Sequence, residues 1–213
     1  MIIIVTIDAL SSLNTLNTLK TLKTLKSLKK NAMADLIHRA GNYKNLLSYQ
    51  KSDVIYQITF DFCNRFLQKG DRTIDQMVQA ARSGKQNIIE GLSAGPTSIK
   101  TAIKLINVAK ASLKELLEDY EDFLKTRHFE QWKAGSIEFE AMRRLGREHK
   151  EAEFFMNIVS TRPPETIANM AIILINQADY LLYRLLDSIA SSFEKEGGFS
   201  EKMMQIRRKN RGY

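Results

Sequence analysis

Residues 76–91 read QMVQAARSGKQNIIEG, and this stretch decides the fold. In it and beside it, Ile74, Met77, Val78, Ala81, Ile88, Ile89 and Leu92 recur at helical steps. At about 100° per residue they share one face of a helix, whereas a half-buried strand would alternate apolar and polar residues. Asp71 stands where an N-cap belongs. Gly91, followed by Gly95-Pro96, is expected to stop the helix near Glu90.

Helical patterns flank this one on both sides. Before it, Ile55, Ile58, Phe62 and Phe66 mark a stripe over about Ser52–Leu67, with Ser52 as N-cap and Gly70 as terminator. After it, a helix from Thr97 or Ser98 to about Leu124 carries Ile99, Ala102, Ile103, Ile106, Ala109, Leu113, Leu116, Leu117, Tyr120 and Leu124 at bundle spacing. Residues 127–135 read as a loop containing Trp132. A densely charged helix or helical hairpin arm is expected over Ser136–Asn157. Pro163-Pro164 then opens a long helix to about Glu194, with Ile167, Met170, Ala171, Leu174, Ala178, Leu181, Leu185, Ile189 and Phe193 as its stripe. Gly197-Gly198 is expected to end it. The expected fold is therefore all-α: an antiparallel up-down four-helix bundle with an extra charged helix between helices three and four.

The chain has 213 residues, 44% of them hydrophobic and 26% charged, with only 3 prolines, which suits one domain of long helices. The single cysteine, Cys63, excludes an internal disulfide and reads as a small core residue. No apolar run approaches the roughly 18 residues of a membrane helix, so a cytoplasmic protein is expected. The net charge of +8 is confined to the ends: residues 46–195 balance 20 basic against 20 acidic side chains. Three segments follow: a low-complexity basic extension (1–45), the bundle (46–195) and a basic suffix (196–213). In the extension, leucine recurs every third residue from Leu13 to Leu28. Each step slips about 60° round a helix, so no single face forms. Met33, which opens MADLIHRAG, is the expected native start, with residues 1–32 dispensable.

Several motifs invite a chemical reading. Arg82-Ser83-Gly84-Lys85 contains Gly-Lys but lacks the spacing and preceding strand of a phosphate loop. Lys85 falls within a helix stripe, where it must reach water or find an acid on another helix. His38, His128 and His149 lack the Glu-x-x-His spacing of bundle metal sites, although His149 and Glu153 stand four apart. No catalytic constellation emerges, so no cofactor and no enzyme activity are expected. Lys100, Lys104, Lys110 and Lys114 lie within about 120° of one another on helix three and form a candidate phosphate-backbone surface, as do Arg207, Arg208 and Arg211 in the suffix. The acids Glu115, Glu118, Asp119, Glu121 and Asp122 follow the lysines.

Gln76, Ser83, Asn87 and the run Ile88-Ile89-Glu90-Gly91 resemble the Q-x6-S-x3-N-I-x-E-G signature of a family of bacterial four-helix bundle proteins. That family includes proteins encoded within 23S ribosomal RNA intervening sequences and the accessory protein of diversity-generating retroelements. Ala109, Ser112, Leu113 and Glu115 resemble its A-x2-S-L-x-E on the following helix. Residues 193–203, with Arg207, Arg208 and Arg211, are similar to the subgroup bearing a four-helix bundle suffix. The resemblance covers about residues 46–126 and 164–213, and the charged helix departs from it as an insertion. It implies an antiparallel bundle and, in the retroelement branch, ring-like homo-oligomers that bind nucleic acid, RNA or DNA, and a reverse transcriptase. The family assigns no catalytic residues. Ser83, Asn87 and Glu90 are expected in structural roles, with Lys85 paired and Glu90, at the helix end, held by a cation or backbone amides of another helix.

Two functions remain open on the sequence. One is a non-enzymatic bundle that associates with nucleic acid; the other is a structural or protein–protein interaction module. Both keep the 1–45 extension outside the core. Removing residues 1–45 is therefore expected to change the unfolding free energy by less than about 1 kcal/mol in urea denaturation. A larger loss would show that Leu13–Leu28 packs against the helices.

Overall fold

The computed structural model describes residues 40–95 and 98–196, with side chains over 43–95 and 98–191. Every regular element in them is helical. A 3-10 helix, Ala40–Asn45, leads into α1 (Leu47–Phe66), α2 (Arg72–Ala94), α3 (Ile99–Thr126), α4 (Ile137–Glu148), α5 (Ala152–Val159) and α6 (Pro164–Glu196). No helix among them is long and apolar enough to cross a membrane. The leucine tract, Met33, Gly197-Gly198 and the suffix arginines lie outside the described residues.

Four helices pack around one core, α1 on α2, α2 on α3, α3 on α6, and α6 back on α1. Ile55, Ile58, Phe62, Ala81, Ile88, Ala109, Leu113, Leu116, Ala171 and Leu174 are all fully buried, as their periodicity requires. Phe62 stands at the aromatic centre, its ring 5.1 Å from Tyr120 and 4.8 Å from Phe123. The Tyr120 hydroxyl donates to Thr59 Oγ1 at 3.1 Å, and Thr59 donates to the Ile55 carbonyl at 2.8 Å, so both buried hydroxyls are satisfied. Cys63 is buried too, and burial pushes its thiol up to about 12, as suits a core residue rather than a nucleophile.

The α2–α3 contact is set by glycine. A Cβ on Gly84 would stand 2.7 Å from Leu113 Cδ2, and one on Gly91 would stand 3.0 Å from Ile106 Cδ1 and 3.2 Å from the Ala102 carbonyl. Gly91 is therefore buried in the interior of α2 and does not terminate it. The helix ends at Ala94, four residues beyond the expected Glu90, because the tertiary contact at Gly91 outweighs its weak intrinsic preference against helix. Gly84 and Gly91 stand seven apart and meet, in reverse order, residues near Ala109 and Ala102. The two helices thus run in opposite directions with their backbones close.

Two further boundaries differ from the sequence reading, at the start of α1 and within the charged segment. Helix α1 begins at Leu47, so Ser52 is no N-cap; its hydroxyl donates to the Ser48 carbonyl at 2.8 Å inside the helix. The cap of α2 is Asp71, which accepts from the Thr73 amide, and α3 is capped by Ser98, which accepts from the Thr101 amide. The charged helix is two helices, with a break at His149–Glu151 that no glycine or proline announces. α4 lies on α6 and α5 lies on α1. Residues 167–175 are buried all round: α4 lies on α6, and Asn169 bonds the loop at Glu130 and Trp132.

Gly84→Ala is expected to lower stability by about 1–2 kcal/mol, since overpacking against Leu113 exceeds the roughly 1 kcal/mol that alanine adds to helix propensity. The double variant Gly84→Ala/Leu113→Ala is expected to be less destabilised than the sum of the singles by at least about 0.5 kcal/mol. Strict additivity in urea unfolding would contradict the close contact.

Candidate functional site

The lysines of α3 separate into two kinds. Lys100, Lys104 and Lys114 are exposed and make no ion pair among the described residues. Lys110 turns to α6, 3.2 Å from Asp179 Oδ1 and 5.7 Å from the centre of the Tyr183 ring. The free lysines run along about 21 Å of helix. Lys100 lies in the first turn, where the helix dipole favours a carboxylate, so its position is electrostatically unfavourable to the isolated helix. Toward the other end, burial followed by the charges of Asp122, Glu115 and Glu118 pushes the Asp119 carboxyl up. Helix α3 is therefore positive over its first half and negative over its second.

The motif residues divide between a helix junction and the surface. Ser83 Oγ and Ser112 Oγ are 2.9 Å apart across the α2–α3 contact, and Asn87 Nδ2 donates to the Ser83 carbonyl at 2.9 Å and to Ser83 Oγ at 3.1 Å. With Gly91 one turn beyond Asn87, these residues tie α2 to α3. Gln76 and Glu90 are exposed and stand apart from that junction. Glu90 lies inside the longer helix and accepts from Gln86 on its own helix at 3.4 Å, and among the described residues no neighbouring helix bonds it. Lys85 pairs with Asp53 of α1 at 3.0 Å and stands 4.2 Å from the centre of the Tyr56 ring. This is the cross-helix carboxylate that its place in the stripe demanded. His149 stacks on Phe154 at 3.6 Å, so its ring packs against its own arm.

One charged residue escaped the sequence reading. Lys51 of α1 is only 5% exposed. Its Nζ donates to the Gly146 carbonyl, in the last turn of α4, and lies 5.6 Å from the centre of the Phe155 ring. Fourteen residues on, Arg65 donates to the Val159 carbonyl at 3.0 Å and to the Ser160 carbonyl at 3.3 Å, at the end of α5. Two cations of α1 thus cap the C-termini of both arm helices, where orphan carbonyls and the dipole favour positive charge. Lys51 precedes Ile55 by four and shares its stripe, which would have revealed it had the helix been started at Leu47.

Burial pushes the Lys51 ammonium down to about 8. The ionisable groups around it are mostly basic, with Arg143, Arg147 and Lys150 against the lone carboxylate Glu148. Below pH 8 the native state holds the charge at a cost; between pH 8 and the unfolded value near 10.5 the unfolded chain binds the extra proton, so stability rises with pH. Relative to Lys51→Met, the wild-type protein is expected to gain on the order of 3 kcal/mol from pH 7 to above pH 10. Paired urea unfolding curves measure this difference, and a difference flat in pH would refute the buried charge.

No protein-family model, no curated protein and no solved structure matches the chain, so the roles of these residues rest on their chemistry and placement.

Proposed function

We propose that the chain is a non-enzymatic, antiparallel up-down four-helix bundle, formed by α1, α2, α3 and α6, with α4 and α5 as an inserted arm. It associates as a homo-oligomer with the phosphate backbone of nucleic acid. The closed cycle of helix contacts and the short joints at residues 67–71 and 95–98 support the bundle. The junction at Ser83, Asn87, Gly91 and Ser112 supports reading it beside the bundle family that its motif resembles.

One observation carries the nucleic-acid reading. Lys100, Lys104 and Lys114 stand in line, exposed and unpaired among the described residues, while Lys85 and Lys110 of the same body each have an acid. Point charges held in line, without base-reading groups among them, suit phosphates rather than sequence. Stacking bases would call for interleaved aromatics; on this face Tyr183 is taken by Lys110. Phe60 of α1 is exposed, with the half-buried Tyr56 ring 6.4 Å away, and this aromatic spot supports self-association.

Binding to structured RNA and duplex DNA is expected to weaken steeply between about 50 and 200 mM salt. Replacing Lys100, Lys104 and Lys114 by Gln is expected to reduce the slope of log K against log salt by roughly 2 to 3. Fluorescence anisotropy measures both. An unchanged slope would remove α3 from the interface. No binding even at low salt would leave a protein–protein interaction module, whose self-association sedimentation would detect.

A further inference from the structure

The arm encloses a space that the lysine surface does not use. A pocket of about 630 Å³ lies between the start of α1, α4 with its exit strand of chain, and the middle of α6. That volume is in the range of small-molecule sites. Leu47, Phe139, Ile173 and Leu181 supply apolar wall. Lys51, Arg143, Arg147 and Lys150 supply positive charge against the single carboxylate Glu148. Arg143 is partly neutralised by Glu140, 3.3 Å away, but Lys51 has no carboxylate partner among the described residues.

Lys51 is the informative group. An ammonium has three donors, and the Gly146 carbonyl takes one. A buried ammonium lacking a counter-charge is costly and calls for an anion. Gly146 makes the arrangement possible. A Cβ there would stand 2.3 Å from Gln177 Oε1 and push the Gln177 amide aside, so glycine lets α4 lie close on α6 while its carbonyl meets Lys51.

We infer that this pocket binds a small amphiphilic carboxylate, its acid on Lys51 with Arg147 and Lys150 at the rim, and its apolar body between α4 and α6. A neutral hydrocarbon would leave Lys51 without its counter-charge, and a cation would add repulsion. A fully hydrated inorganic anion would leave the apolar wall uncovered. This site is separate from the α3 surface, so either assignment can fail without the other.

Decanoate, decanol and decyltrimethylammonium share one apolar chain and differ in charge. Titrated calorimetrically into the full chain below their aggregation concentrations, decanoate is expected to bind saturably, one per chain, at least tenfold tighter than decanol. The cation is expected not to compete. Lys51→Met should weaken decanoate at least tenfold. Leu181→Trp, which fills the pocket and keeps every charge, should do the same and serves if Lys51→Met fails to fold. The triple Gln variant of α3 should bind decanoate as the wild type does. Equal binding of all three probes, no saturable binding of decanoate, or decanoate binding indifferent to Leu181→Trp would overturn the assignment and leave Lys51 as a helix cap alone.

Discussion

The close approach of α2 and α3 at Gly84 and Gly91 is the constraint on which the remaining packing depends. With no Cβ at either position, Leu113 and Ile106 can sit directly on the α2 backbone. That proximity brings Ser83 within hydrogen-bond reach of Ser112. It also fixes the register of the pair, because sliding one helix by a residue would turn a bulkier side chain into the contact. Once α2 and α3 are locked, α1 and α6 close the remaining sides with larger residues such as Phe62 and Leu174. Two glycines in a helix interior cost propensity, about 1 kcal/mol each, and the packing they permit offsets it.

The arm follows a different rule. α4 and α5 contribute few buried side chains, chiefly Met142, Phe155 and Val159, and a helix as short as α5 is marginal by itself. What places them is the pair of cations on α1. Lys51 and Arg65 stand on nearly the same face, and each receives one helix C-terminus. The two cations are unequal. Arg65 is partly exposed and has Asp61 at 2.8 Å, so its bonds are modest. Lys51 is buried without an acid, and its contact carries a desolvation cost that the carbonyl and the Phe155 ring only partly offset.

Much of this architecture was legible in the residues. Most stripe positions of α1, α2, α3 and α6, the caps Asp71 and Ser98, and the partner required by Lys85 follow from periodicity and charge, although on α6 Leu182 rather than the expected Leu181 is fully buried. Where the structure departs from the local signal, a tertiary contact overrides it. Gly91 carries the composition of a helix stop, yet Ile106 holds it inside the helix. Ser52 has the composition of a cap, yet α1 begins at Leu47, and Ser48, Lys51 and Ser52 are all buried on its packed face. The break at His149–Glu151 contains no glycine or proline; the Gly146 carbonyl just before it is answered by a lysine 95 residues away in sequence. No period within α4 or α5 encodes that pairing.

The placement of charge separates what the fold needs from what it does not. Lys85, Lys110 and Arg65 each meet an acid, and each helps hold one helix to another or to itself. Lys100, Lys104 and Lys114 meet none among the described residues and could be neutral without loss to the core. Lys51 is the opposite case, buried where a methionine of similar length would pack at lower electrostatic cost. Charges that the packing leaves unpaired, on the surface or in a cavity, ask for a partner outside the chain. On α3 they are spread along an open helix, which suits an extended polyanion. Under the arm a single ammonium is enclosed by apolar wall, which suits one acidic group on a small apolar body. The difference in geometry, line against enclosure, is the ground on which the two proposed kinds of anion are placed apart.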